Sequence, residues 1–291
     1  MSLLAYDFMQ RALIGVLITG LAAPALGIYL VQRRMALIGD GIGHIALTGV
    51  GLGLLTSRSP VLTAIVVAAA GAVAVELIRQ RGKASGDIAL ALLFYGGISG
   101  GVFLVALADG RTNANLMAYL FGSPLTISPS DLLVMAVLGG AVIAFTVLLR
   151  PWLFAVCQDE EYARVAGLPV RTLNLLLAVM TAVTITVAMR AVGLLLVSAM
   201  MVLPVAAAQL VSRGFGATMG LAMALGVLAA GLGLTVAAQY DTAPGATIVL
   251  MAIALFAVLA TVSSVQRRVR RRSPADATAG GSEPPEVLLT S

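Results

Sequence analysis

The chain has 291 residues, 60% of them hydrophobic and 11% charged, with a mean hydropathy of +1.03 and a formal net charge of +5. Ordinary soluble domains carry about 25% charged residues; 18 basic and 13 acidic side chains are too few to cover a water-facing surface of this size. This excludes a soluble enzyme, a disulfide scaffold, a nucleic-acid-binding domain and a disordered chain. It leaves an all-α polytopic membrane protein.

Crossing about 30 Å of hydrocarbon takes about 20 apolar residues. Stretches of that kind predict nine spans, at 11–31, 37–56, 60–79, 87–108, 131–149, 172–189, 191–212, 214–238 and 246–265. The first lies close to the N-terminus and is a candidate interfacial segment, so eight spans is the alternative. It is too long for a signal peptide and runs straight into more membrane. Together they form one transmembrane domain over 1–272, followed by a disordered tail, 273–291, rich in Pro, Ser, Gly and Ala. With nine spans and the C-terminus inside, fourteen basic residues face the cytoplasm, among them Arg33, Arg34, Arg79, Arg164 and the run Arg267 to Arg272. Only Arg11, Arg58, Arg111 and Arg190 remain outside. The positive-inside rule selects that orientation.

Charges inside a span are costly and mark function by default. The clearest case lies in the second span, GDGIGHIALTGVGLG, where Asp40 and His44 are four residues apart. On a helix they share one face and reach one common ion. A carboxylate oxygen with an imidazole nitrogen suits zinc, manganese or iron(II); the alternative is an Asp–His hydrogen bond that stitches helices together. Two ligands leave a metal site incomplete, which suits an ion that must leave again. His44 is the chain's one histidine. Further along, Glu76 is expected to pair with Arg79 or a neighbouring backbone group. Asp87 reads as a helix N-cap or a pathway group.

The outer loop 109–130 holds a short apolar patch, Leu116 to Phe121, expected to lie in the interface or re-enter. The inner loop 150–171 predicts a short helix over Gln158 to Gly167, with Asp159, Glu160 and Glu161 in its first turn and Gly167 ending it. That reads as a docking element. Cys157 reads as an ordinary free thiol. In the later spans, Thr181, Thr184 and Thr186 are expected to bond back to their own helix, and Pro204 to mark a kink. Gln209 reads as a pathway group or an interhelical hydrogen bond, and Asp241 as part of an outer turn, YDTAPG. The chain has no phosphate-binding G-x-x-x-x-G-K-[ST] and no H-E-x-x-H, so any ATPase is a separate chain.

Five ordered blocks carry a resemblance: RRMALIGDGIGHIALTGVGLG, ANLMAYLFGSPLTIS, QDEEYARVAGLPV, VGLLLVSAMMVLPVAAAQL and YDTAPGATIVL. Together they resemble the permease subunits of bacterial zinc/manganese/iron-type metal ABC importers, over nearly the whole chain. The chain departs from that pattern at Gly43, where Ser or Ala is usual, and at Arg190, where Gln or Lys is common. The resemblance implies a multi-pass permease of the bacterial inner membrane, working as a homodimer among membrane lipid, with two ATP-binding cassette subunits and an extracytoplasmic metal-binding protein. It makes Asp40 and His44 transient ligands of the transported zinc, manganese or iron, with no permanently bound cofactor and no nucleic acid. It gives Asp159, Glu160, Glu161, Arg164 and Gly167 to ATPase coupling, and leaves Asp87, Gln209 and Asp241 as further pathway candidates. The competing functions are a permease for an organic chelate of siderophore or cobalamin type, a secondary metal transporter and a membrane-embedded metalloenzyme.

Overall fold

The structure is a computed structural model that describes residues 6–80, 86–108, 113–124, 127–194 and 196–271. Twelve helices form, with no strand among the described residues: α1 Asp7–Gln32, α2 Ile38–Leu55, α3 Pro60–Gln80, α4 Gly86–Leu107, α5 Asn113–Phe121, α6 Pro129–Leu148, α7 Arg150–Gln158, α8 Glu160–Val165, α9 Val170–Ala188, α10 Val197–Gln209, α11 Phe215–Tyr240 and α12 Pro244–Arg271. Eight of these are long and apolar enough to cross a membrane: α1, α2, α3, α4, α6, α9, α11 and α12.

Helix α1 is the axis of the bundle. Its second half, Ala22 to Leu30, is buried without interruption and packs against α6, α9, α10 and α11. Helices α1, α2 and α9 lie inside, while α3, α4, α6 and α12 turn most of their surface outward. The exposed side chains there are apolar, including Leu62, Val66, Leu92, Phe103, Val137, Leu250 and Val258. An outward apolar face is the membrane counterpart of a charged soluble surface.

Helix α2 fits this packing because it is narrow. A Cβ on Gly97 of α4 would lie 2.5 Å from the backbone carbon of His44, so only glycine lets the two helices approach that closely. Thr48 then donates to the Gly97 carbonyl at 2.8 Å. Local signals set the helix ends elsewhere. Ser128 and Asp131 form a reciprocal capping box, with Pro129 in the first turn, and start α6 two residues before the predicted span.

The count of eight arises in an unexpected place. The N-terminal segment is a full 26-residue helix, while the predicted span 191–212 is helical only over Val197–Gln209. Helix α10 runs through Pro204 without ending; the interruption lies upstream, around Gly193, whose φ is +94°. A Cβ there would lie 2.3 Å from the Phe121 backbone, so glycine is required by both conformation and space. The inner loop also divides differently. Gln158 ends α7, and Asp159 caps a separate α8 by accepting from the Tyr162 amide at 2.9 Å. Gly167, with φ +82°, ends that short helix as expected. The tail 273–291 and the side chains of Arg267 to Arg272 lie outside the described residues.

Candidate functional site

Asp40 and His44 occupy the third and seventh positions of α2. At 1.5 Å per residue, His44 sits about 9 Å in from the helix start. The imidazole is buried, 8% exposed, with its ring centroid 4.1 Å from that of Phe94 on α4. Its Nδ1 lies 2.6 Å from the Asp40 carbonyl oxygen. A carbonyl only accepts, so Nδ1 donates to it, and Nε2 is the ring nitrogen outside that bond. The Asp40 carboxylate does not bond the imidazole. Its Oδ1 accepts from the Ser198 hydroxyl, in the first turn of α10. The interhelical stitch thus joins Asp40 to Ser198, and no ion pair reaches Asp40 among the described residues.

The segment that delivers Ser198 runs through the bundle to its α5 end. The Leu194 amide donates to the Tyr119 carbonyl at 2.9 Å, and the Ser123 amide to the Arg190 carbonyl at 3.2 Å. Helix α5 is thereby docked beside the interruption. Arg190 closes this end by donating to Asp131 Oδ2 at 2.7 Å, with its guanidinium 5.5 Å from the Tyr119 ring centroid. A cleft of about 190 Å³ borders the pair and is also lined by Ser59, Leu62 and Thr186.

The opposite end holds a denser network. Arg33 at the end of α1 pairs with Glu160 at 3.1 Å and donates to Asn174 Oδ1 of α9 at 2.9 Å. Asn174 in turn donates to Glu160 at 3.3 Å. Arg79 grips Glu76 through two bonds of 2.8 Å, as expected from the sequence, and lies 3.7 Å from Glu160. Arg164 reaches Glu160 from the exposed side at 3.5 Å. Glu160 thus ties α8 to α1, α3 and α9. A cleft of about 620 Å³ lies beside Arg79, Glu160 and Arg171 at the edge of the network. Nearby, Cys157 is half-buried and burial pushes its thiol up to about 11.

The residues read from the sequence as coupling residues therefore separate into two groups. Glu160 points into the bundle, while Glu161, Tyr162 and Val165 face outward, the last two at 69% and 88% exposure. Asp159 is the N-cap, and Arg164 and Gly167 are exposed. Gln209 ends α10 eleven residues beyond Ser198, exposed and far from Asp40. Asp241 is the left-handed cap of α11 with φ +50°, a turn residue exposed at the α5 end. Asp87 lies in the first turn of α4, and its side chain is outside the described ones. Thr181, Thr184 and Thr186 bond back to their own helix at 2.7, 2.8 and 2.8 Å. Sequence reasoning missed Ser198, Arg33, Asn174 and Asp131 as partners, because a lone polar residue near a span end carries no signal of what faces it.

These features define a polytopic helical membrane protein with a carboxylate and an imidazole held inside the bundle and a polar cluster at one end. The chain belongs to the ABC 3 transport family, whose model matches residues 5–263. It is similar to the manganese transport system membrane protein of Halalkalibacterium halodurans, 32% identical over 88% of this chain and 87% of that one. The high-affinity zinc uptake system membrane protein of Haemophilus influenzae is 31% identical, over 86% and 96%. The chelated iron transport system membrane protein of Yersinia pestis is 32% identical, over 94% and 91%. Among solved structures, PsaBC from Streptococcus pneumoniae in complex with Fab superposes with a TM-score of 0.82 at 28% identity, over 92% and 96% of the two chains.

Proposed function

We propose that this chain is the permease subunit of an ATP-driven importer of a divalent transition metal, with zinc, manganese and iron(II) as the candidate cargoes. The observation that carries this reading is the pairing at Asp40. Among the described residues, the side-chain partner of this first-turn aspartate is a neutral hydroxyl, one turn from a histidine whose Nδ1 is bonded to a backbone carbonyl. Such a carboxylate lacks a counter-charge, and a passing cation supplies it. Two protein ligands hold an ion without enclosing it, so release stays feasible.

Two copies would contribute an Asp–His pair each to one pathway, with two separate ATPase subunits below and an extracytoplasmic metal-binding protein above. The α8 end then faces the cytoplasm, as does the C-terminus, which agrees with the basic residues gathered on that side. Glu161, Tyr162 and Val165 would meet the ATPase. Glu160 would pass its movement to α1, α3 and α9 through Arg33, Arg79 and Asn174. No group here catalyses hydrolysis; the chain's part is binding, gating and transmission.

The test is radiometal uptake into cells or vesicles carrying the permease with its ATPase. Asp40→Asn and His44→Ala each abolish uptake of free manganese or zinc while the complex still assembles. Persistent uptake in both variants refutes the assignment of the pair. Competition by organic metal chelates instead of free ions would favour the chelate reading, and uptake without any ATPase chain would favour a secondary transporter.

A further inference from the structure

We infer that Ser198 is a positioning residue for the transported metal: its hydroxyl occupies one oxygen of Asp40 so that the carboxylate meets the ion through the other. The inference rests on the reading of Asp40 and His44 as cargo ligands and extends it to a third residue on a different helix. Ser198 is buried, 9% exposed, and its hydroxyl donates to Asp40 Oδ1. Its Cβ lies 3.5 Å from the position a Cβ on Gly39 would take, so α10 and α2 are in direct contact at this level.

Three consequences follow from elementary coordination chemistry. First, a carboxylate with one oxygen committed to a hydroxyl is turned and held, as partners outside the ligand shell hold metal-binding groups elsewhere. Second, the remaining oxygen binds one-to-one. Calcium takes six to eight oxygens at about 2.3–2.6 Å and readily uses both oxygens of a carboxylate. Zinc, manganese and iron(II) accept one carboxylate oxygen beside an imidazole nitrogen. A committed Oδ1 therefore biases the site against calcium. Third, Ser198 lies in the first turn of α10, just after the non-helical residues 189–194, whose Leu194 amide is bonded to Tyr119 of α5. Movement of α5 is thereby transmitted to the oxygen that holds Asp40.

The experiment uses the purified permease–ATPase complex in lipid nanodiscs. Binding of manganese alone and of calcium alone is measured by equilibrium titration, with manganese uptake measured in reconstituted vesicles. Four substitutions are compared: Ser198→Ala, Ser198→Val, Ser198→Thr and, as the reference for loss of the site, Asp40→Asn. Threonine and valine have nearly the same shape and differ in the hydroxyl. The inference expects Val and Ala to weaken manganese binding about 10- to 100-fold, calcium binding to fall less or rise, and Thr to stay near the unsubstituted protein. If Ala fails to assemble, the Thr–Val pair decides alone. Equal losses for both ions, no change in Val, or Thr behaving as Val overturns the role of Ser198. Full manganese binding by Asp40→Asn would instead overturn the underlying site, whatever Ser198 does.

Discussion

The carboxylates of Asp40 and Glu160 show how differently this bundle treats a negative charge. Glu160 is surrounded by three arginines and an asparagine drawn from α1, α3, α8 and α9. Asp40 meets one neutral hydroxyl from α10. Glu160 is partly exposed at the α8 end, where opposite charges can be gathered at modest cost. Asp40 stands half-buried in the first turn of α2, a candidate span, where a charge with no ion-pair partner is retained at a cost. A saturated carboxylate holds helices together; an unsaturated one waits for a cation. The contrast separates two electrostatic environments within one chain, which the proposed reading assigns to coupling and to cargo.

The largest expected effect breaks the comparison directly. Asp40→Asn should reduce metal uptake by more than about 100-fold, since removing a ligand exceeds the loss of an outer partner. The same change should leave thermal unfolding of the complex within about 0.5 kcal/mol, because no ion pair is lost. A large fall in melting temperature would make Asp40 a structural residue like Glu160. Glu160→Gln is the mirror experiment. It leaves Arg33, whose side chain is 7% exposed, short of its counter-charge, and should cost about 1–2 kcal/mol, below the value for a fully dry pair because Glu160 is partly hydrated. ATP hydrolysis should continue while metal-coupled uptake falls; tight coupling in this variant would remove Glu160 from the transmission path. Charge reversal at Glu161, which faces outward, should weaken ATPase association in a pull-down and leave the permease fold unchanged.

Smaller effects sharpen the same contrast at the other end. The Asp131–Arg190 pair is partly exposed on both sides, at 26% and 22%, so Asp131→Asn should cost under about 1 kcal/mol. Its clearest readout is altered protease access to the 109–130 loop, because Arg190 also holds Tyr119. The smallest effect concerns Cys157. With its thiol pushed up to about 11 by burial, only about one molecule in 10,000 carries the reactive thiolate at pH 7. Maleimide labelling of the native complex should be slow at pH 7 and accelerate as the pH rises toward 11. Fast labelling at neutral pH would show that α7 is loosely packed against Tyr29.

Much of the site was legible in the residues. The i,i+4 spacing of Asp40 and His44, the arginine grip on Glu76, the threonines bonded to their own helix and the stop at Gly167 are all local, and local geometry follows from the chain. The position before His44 shows where this ends. Gly43 departs from the expected pattern, and it faces the Leu194 carbonyl across a narrow gap of 3.7 Å to its would-be Cβ. Nothing in the neighbouring sequence announces that contact. Arg190 looked equally inconsequential, yet its partners Asp131 and Tyr119 lie 59 and 71 residues away.

By itself, then, the sequence determined the membrane class, most of the spans and the placing of Asp40 and His44 on one helix face, because hydropathy and helical spacing act over a few turns. Tertiary structure alone decided that the short span is α10 and not the N-terminal one, since its break is enforced by Gly193 packed against Phe121. It also decided that Glu160 turns inward while Glu161 turns outward, and that Asp40 leans on Ser198, 158 residues away. Which charge finds a partner depends on what another helix brings to it, and chain order does not encode that distance.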